Sequence, residues 1–155
     1  ILLEDEIDFL SNYLHLEKLI LGDDFSFEIQ VDENIDVAYE RIPALILQPI
    51  VENALKHGLR TKHGQKKLYV SFAINDIEEQ TQLFIRIEDN GIGRKAAAEL
   101  NKNRKNHQSF ATKSIDDRIK ILNEQHQSNI SIETIDKYDD QNYATGTLVL
   151  IKIIK

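Results

Sequence analysis

Five runs of alternating hydrophobicity constrain this chain more than any other feature: FSFEIQV (25–31), LYVSFAI (68–74), LFIRIED (83–89), NISIETI (129–135) and GTLVLIKII (146–154). Strand side chains alternate between two faces, so each run carries an apolar face that a second layer must cover. Segments of helical spacing supply that layer. Leu3, Ile7, Leu10 and Leu14 form one seam of a helix over 3–20, Phe9, Tyr13, Leu16 and Ile20 form a second, and Gly22 ends it. Another helix is predicted from about Pro43 to His57, with Pro43 in the first turn and Gly58 as the C-terminal stop. Pro49 inside it has no amide to donate, which predicts a kink or a late start. SIDDRIKILNEQ (114–125) is also helical, and 94–112 reads as a short helix followed by a loop. NDIEEQTQ joins the second and third runs as a hairpin, and DKYDDQNYA is an acidic turn between the last two. This order predicts an α+β fold: a two-layer α/β sandwich whose mixed, mostly antiparallel sheet carries its helices on one face.

A chain of 155 residues with 41% apolar content is long enough for one globular unit with a real core. It has no cysteine, hence neither disulfides nor thiolate metal sites, which suits a reducing compartment. No apolar run approaches the roughly 18 residues of a membrane span, and no signal-peptide layout opens it. The start, ILLEDEIDF without methionine, reads as that of an excised piece whose flanks could include membrane segments. With 19 Lys/Arg against 26 Asp/Glu the formal charge is -7, which argues against a nucleic-acid or anionic-lipid partner. The basic residues are nevertheless concentrated. KHGLRTKHGQKK (56–67) and RKAAAELNKNRKN (94–106) each hold five Lys/Arg, a distribution that favours a compact anion over an extended one.

Three local features carry chemistry. On a helical wheel, Leu47, Ile50, Val51, Ala54, Leu55 and Gly58 share a packing face, while Glu52, Asn53, Lys56, His57 and Arg60 share the other. A carboxamide oxygen can ligate Mg²⁺, and Lys or His can neutralise phosphate oxygens carried by the same ion. In DNGIG (89–93), Asp89 continues the parity of Leu83, Ile85 and Ile87, so its carboxylate should point inward, where it needs a donor such as the exocyclic amine of adenine. Asn90-Gly91 as a hairpin turn is the plainer alternative, and it fails because RKAAAELNKNRKN is no strand. Gly91 and Gly93 would instead let backbone pass close to a ligand. Finally, Thr147 shares parity with Val149, Ile151 and Ile153, so its hydroxyl should face the same interior as Asp89.

IPALILQPIVENALKHG resembles the N box, and DNGIG the G1 box, of histidine-kinase ATP-binding domains, which share the Bergerat fold of gyrase and mismatch-repair ATPases. Together with the opening helix, LQPIVENALKHG resembles the LytS-like class of sensor kinases. The resemblance covers essentially the whole chain. It implies that residues 1–22 end the linker from an absent dimerisation and acceptor region, and that 23–155 are the ATP-binding catalytic domain with a lid at about 94–112. It implies ATP and Mg²⁺ as cofactors. Asn53 would ligate Mg²⁺, Lys56 and His57 would contact phosphates, Asp89 would bind adenine, Gly91 and Gly93 would line the lid hinge, and Thr147 would support Asp89 through water. With Glu52, the residues Asn53, Lys56 and His57 form the candidate catalytic group.

Two departures accompany the likeness. The family's glycine-rich G2 motif is replaced by HQSFATKSIDDRIKIL, with Ser109, Ala111 and Thr112 in its place, so phosphate contact would depend on hydroxyls and on backbone amides near the start of the 114–125 helix. Gyrase-like ATPases carry a general-base glutamate four residues before the metal-binding asparagine; here that place is Pro49, which favours phosphoryl transfer over hydrolysis. The family's acceptor-histidine motif does not occur, and His15 reads as a surface residue. The implied protein is a protein histidine kinase, homodimeric when full length. Its partners are ATP, the acceptor histidine of its own dimerisation region and a response regulator, and its cytoplasmic catalytic domain belongs to a membrane-anchored bacterial sensor. As an isolated fragment the domain should transfer little phosphoryl. A degenerate, noncatalytic nucleotide-binding or interaction module is the alternative.

Overall fold

The architecture comes from a computed structural model that describes residues 1–100 and 105–155, with only the helical backbone described for 105–114. The five alternating runs form one sheet. Its strands are β1 (Phe25–Val31), β2 (Lys66–Ile77), β3 (Gln80–Asp89), β4 (Asn129–Tyr138) and β5 (Ala144–Ile154). They lie in the order β1-β2-β3-β5-β4, with β1 and β2 parallel and every other pair antiparallel. A parallel pair needs a long crossover, and the helical segment between β1 and β2 provides it.

One sheet face is apolar: Phe25, Leu68, Val70, Phe72, Leu83, Ile85, Ile87, Ile151 and Ile153 are buried on it. The helices cover it with Leu10 and Leu14 of α1 (Leu3–Leu21) and with Leu47, Ile50 and Val51 of α2 (Leu47–Asn53). A π-helix over Ala54–Leu59 follows α2 directly, and α3 (Arg94–Leu100) and α4 (Lys105–His126) complete the layer. The predicted two-layer arrangement is therefore the observed one.

Several boundaries differ from expectation. Of the two apolar seams of α1, the second is largely in solvent, with Phe9 59%, Leu16 62% and Ile20 72% exposed. Glu6 and Glu17 are buried instead. A helix laid on one layer has a single contact face, so one stripe packs and its neighbour does not. The second helix begins at Leu47, leaving Pro43 outside. Pro49 is then the third helical residue, where no intrahelical partner awaits the missing amide, so it imposes a late start and no break. The connection NDIEEQTQ is mostly strand. Its turn is only Glu78-Glu79, both at positive φ (51° and 64°), the pattern of a two-residue type I′ hairpin. The helix expected at 114 starts at Lys105.

Candidate functional site

α2 passes into the π-helix beside the site. Arg60 N donates to Leu55 O at 2.8 Å, an i to i−5 bond that widens the turn just after Asn53. Asn53 and His57, both half-buried, line a cavity of about 680 Å³. Glu52 and Lys56 are exposed and do not line it, and Glu52 accepts a hydrogen bond from Gln48 Nε2 at 3.1 Å. The predicted polar quartet is thus divided into an inner pair and an outer pair. Such π-turns occur often at functional sites.

Asp89 closes β3 and lines the same cavity. It is 4% exposed, as its parity with Leu83, Ile85 and Ile87 requires. Burial raises its pKa above the ordinary carboxylate value, opposed by backbone hydrogen bonds from Gly91 and Thr147 and by the charge of Lys137. The Gly91 amide donates to Asp89 Oδ1 at 2.8 Å. Thr147 stands directly opposite Asp89 in the β3–β5 ladder and also lines the cavity, in agreement with the strand parity.

Gly91 and Gly58 serve ends other than those expected, whereas Gly93 stands where it was expected. A Cβ on Gly91 would lie 2.3 Å from Gly58 O, and Gly91 does not line the cavity, so its lack of a side chain serves backbone packing. Gly58, expected to stop the helix, lies within the π-helix with its Cα facing Asp89; a Cβ there would meet Asp89 Oδ1 at 3.0 Å. Gly93, at φ +86°, does line the cavity. Gly146 has φ +136°, and its Cβ would fall 1.9 Å from Asp89 O. Gly58 is thus a lining residue that the sequence reading took only for a helix stop, and Gly146, beside Thr147, packs against the Asp89 backbone. Asn90 turns away from the cavity and clamps the start of β2, accepting from Lys67 N at 2.7 Å and donating to Gln65 O at 3.1 Å.

The remaining lining is apolar (Ile50, Ala54, Ile87, Ile132 and Val149) with Arg94, Thr134 and Asp116 as further polar members. Arg94 makes a bidentate pair with Asp136 of β4, at 2.8 and 2.9 Å, which ties the start of α3 to the sheet. His57 has its pKa lowered by burial and by the charges of Lys56 and Arg60, so it is neutral at neutral pH. The side chains of Ser109 and Thr112 lie outside the described residues. The amides at the start of the 114–125 segment are not a free helix end, because α4 already runs from Lys105 and they lie inside it. His15 is exposed, its ring edge-on to Phe27 at 5.0 Å. Among the described residues no helix is long and apolar enough to cross a membrane.

An apolar slot with a few convergent polar groups is the form of a small-molecule site. The chain is 34% identical over 88 residues to the sensor histidine kinase BtsS of Escherichia coli K12, a match spanning 57% of this chain and 15% of that protein. It is 30% identical over 91 residues to the sensor protein LytS of Bacillus subtilis 168, spanning 59% and 14%. Its curated relatives include sensor histidine kinases. The catalytic domain of histidine kinase ThkA has the same fold, with a TM-score of 0.58 at 14% identity over 99% of this chain and 92% of that domain. No family model matches the chain. The matches span less than a third of the length of the curated relatives.

Proposed function

We propose that this chain is the ATP-binding catalytic domain of a two-component sensor histidine kinase. It holds Mg-ATP in the 680 Å³ cavity and presents the γ-phosphoryl group to a histidine outside this chain. The observation that carries this reading is that Asn53, His57, Asp89 and Thr147, from three separate segments, line one cavity with an apolar remainder.

Each residue has a role that its chemistry permits. The Asp89 carboxylate accepts from an exocyclic amine, and Ile50, Ile87, Ile132 and Val149 cover the faces of a purine. The Asn53 side-chain oxygen is the protein donor to the cation. Among the described residues no cluster of three or more His, Asp or Glu could hold a metal. Mg²⁺ usually keeps several waters and takes one or two protein ligands beside substrate phosphates, so a single carboxamide oxygen would suffice to hold it. When bound, Mg²⁺ neutralises charge on the triphosphate. His57 donates to a phosphate oxygen and gains a proton as negative charge approaches. Lys56, outside the cavity lining, acts only as a long-range cation unless its side chain swings inward. Pro49 stands where gyrase-like ATPases carry their hydrolytic base, so the domain orients the phosphoryl group and leaves attack to the incoming imidazole.

The same reading makes the protein a dimeric, membrane-anchored bacterial sensor whose catalytic domain is cytoplasmic and whose phosphoryl group passes to a response regulator. The lid is read over 94–112, of which residues 101–104 lie outside the described residues; its α3 portion contributes Arg94, Ala97 and Ala98 to the cavity.

Titration with a nonhydrolysable ATP analogue tests the proposal. Asn53→Ala should remove the Mg²⁺-dependent part of the affinity, whereas Asp89→Asn should weaken binding about tenfold with or without metal. Parent-like affinity in both variants would refute the site, and no binding by the parent would leave an interaction module.

A further inference from the structure

We propose that the Arg94–Asp136 ion pair is the end wall of the cavity on the side of Asp89, and that both are positioning residues for a group held at Asp89. The contact is bidentate: Arg94 Nε donates to Asp136 Oδ1 at 2.8 Å and Arg94 Nη2 to Asp136 Oδ2 at 2.9 Å. Its place follows from the sheet. Asp89, Thr147 and Asp136 stand in one row across β3, β5 and β4. Asp136 continues the parity of Ile132 and Thr134, which line the cavity, so it is the first inward position of β4 beyond the lining. Arg94 is only five residues after Asp89, yet its head group is fixed two strands away, about 10 Å across the sheet. The turn that carries it lies on β5: a Cβ on Gly93, whose φ is +86°, would sit 3.2 Å from Ala144 Cβ. Arg94 itself lines the cavity. The chain leaving β3 therefore passes over β5 and is tied down on β4, closing the row that begins at Asp89.

The pair supplies direction more than stability. Arg94 is 57% and Asp136 34% exposed, so water screens their attraction and the fold as a whole gains little from it. A fork of two parallel bonds nevertheless fixes where the guanidinium stands, which a single contact would not. α3, which begins at Arg94, has seven residues, too few to hold its own shape in water. Its first turn is built on Gly93, whose carbonyl accepts from Ala97 N at 3.1 Å, and Ala97 and Ala98 are cavity wall. Holding Arg94 thus holds that wall, and keeps water from the Asp89 carboxylate, which is 4% exposed. For the identity of the ligand the inference rests on the nucleotide reading, in which this wall bounds the compartment of the base.

The test begins with hydrogen exchange of the amides of residues 97–100 in the nucleotide-free chain, with β2 and β3 amides as the internal reference. Arg94→Gln and Asp136→Asn should each speed exchange at 97–100 by about threefold, the scale of one exposed, well-aligned pair, and leave the sheet unchanged. The double variant should do no more than either single one. Unchanged exchange at 97–100, additive effects, or equal acceleration in the sheet would overturn the inference. Affinity for the nonhydrolysable ATP analogue then separates a wall from a direct ligand contact. Both variants should weaken binding about threefold, with and without Mg²⁺. Were Arg94 to leave Asp136 for a phosphate, Arg94→Gln would weaken binding and Asp136→Asn, which frees the guanidinium, would strengthen it. That split overturns the proposal, as does unaltered affinity in both variants. A parent that binds no analogue refutes the nucleotide reading, and exchange then decides the wall by itself.

Discussion

Gly91 is pressed against Gly58 so closely that a methyl group on it would sit 2.3 Å from the Gly58 carbonyl oxygen, while the next amide, Ile92 N, donates to that same oxygen at 3.0 Å. This contact locks the loop after β3 onto the π-helix, and so fixes Asp89 relative to His57. The obstacle is backbone, which cannot move aside as a flexible side chain can. Gly91→Ala should therefore lower unfolding free energy by about 3 kcal/mol in a denaturant titration. A loss under about 1 kcal/mol would show that the two backbones do not meet this closely.

Asp89 makes stability depend on pH. Its folded pKa is raised above 3.8 by burial, so the stability linked to its neutral form is complete below the unfolded value and is lost as pH rises through the folded one. Asp89→Asn lacks that loss. The melting temperature of the variant minus that of the parent should become more positive between about pH 4 and pH 7. A flat difference would mean that the carboxylate is not desolvated.

His57 makes binding depend on pH with the opposite sense. Its pKa is lowered by burial and by Lys56 and Arg60, so in the free domain its contribution to stability is full above 6.5 and falls away as pH drops through the folded pKa. A bound triphosphate reverses the penalty on the charged ring. ATP-analogue affinity should rise as pH falls from about 7.5 to about 6, with proton uptake visible as buffer-dependent calorimetric enthalpy. In His57→Ala this uptake should disappear; its persistence would assign the proton elsewhere.

Glu78 and Glu79 hold the β2–β3 hairpin at φ 51° and 64°, a conformation that side-chain-bearing residues adopt at a cost. Replacing the pair by Asn-Gly should raise stability by about 1 kcal/mol and leave nucleotide binding unchanged. Thermal unfolding in parallel with the analogue titration measures both halves.

What could be read along the chain was whatever a local period determines. Alternation located all five strands and aimed Asp89 and Thr147 at one interior, because the pleat turns neighbouring side chains to opposite faces whatever the strand later packs against. The order of elements was enough for the two-layer sheet-and-helix fold. What depended on contacts between distant residues was not legible. The π-turn over Ala54–Leu59 leaves no mark in a pattern assumed to advance by 100° per residue, and that Asn53 and His57 line the cavity while Glu52 and Lys56 do not was decided by how the helix packs. The needs met by Gly58, Gly91 and Gly146 appear only when backbones far apart in sequence come within van der Waals range. Burial of Glu17, where a sequence pattern favours solvent, likewise awaited Arg60, which pairs with it at 3.4 Å. Periodicity acts within a few residues and belongs to the sequence; the phase between elements, and the close approaches that shape the cavity, arise only when the layers pack.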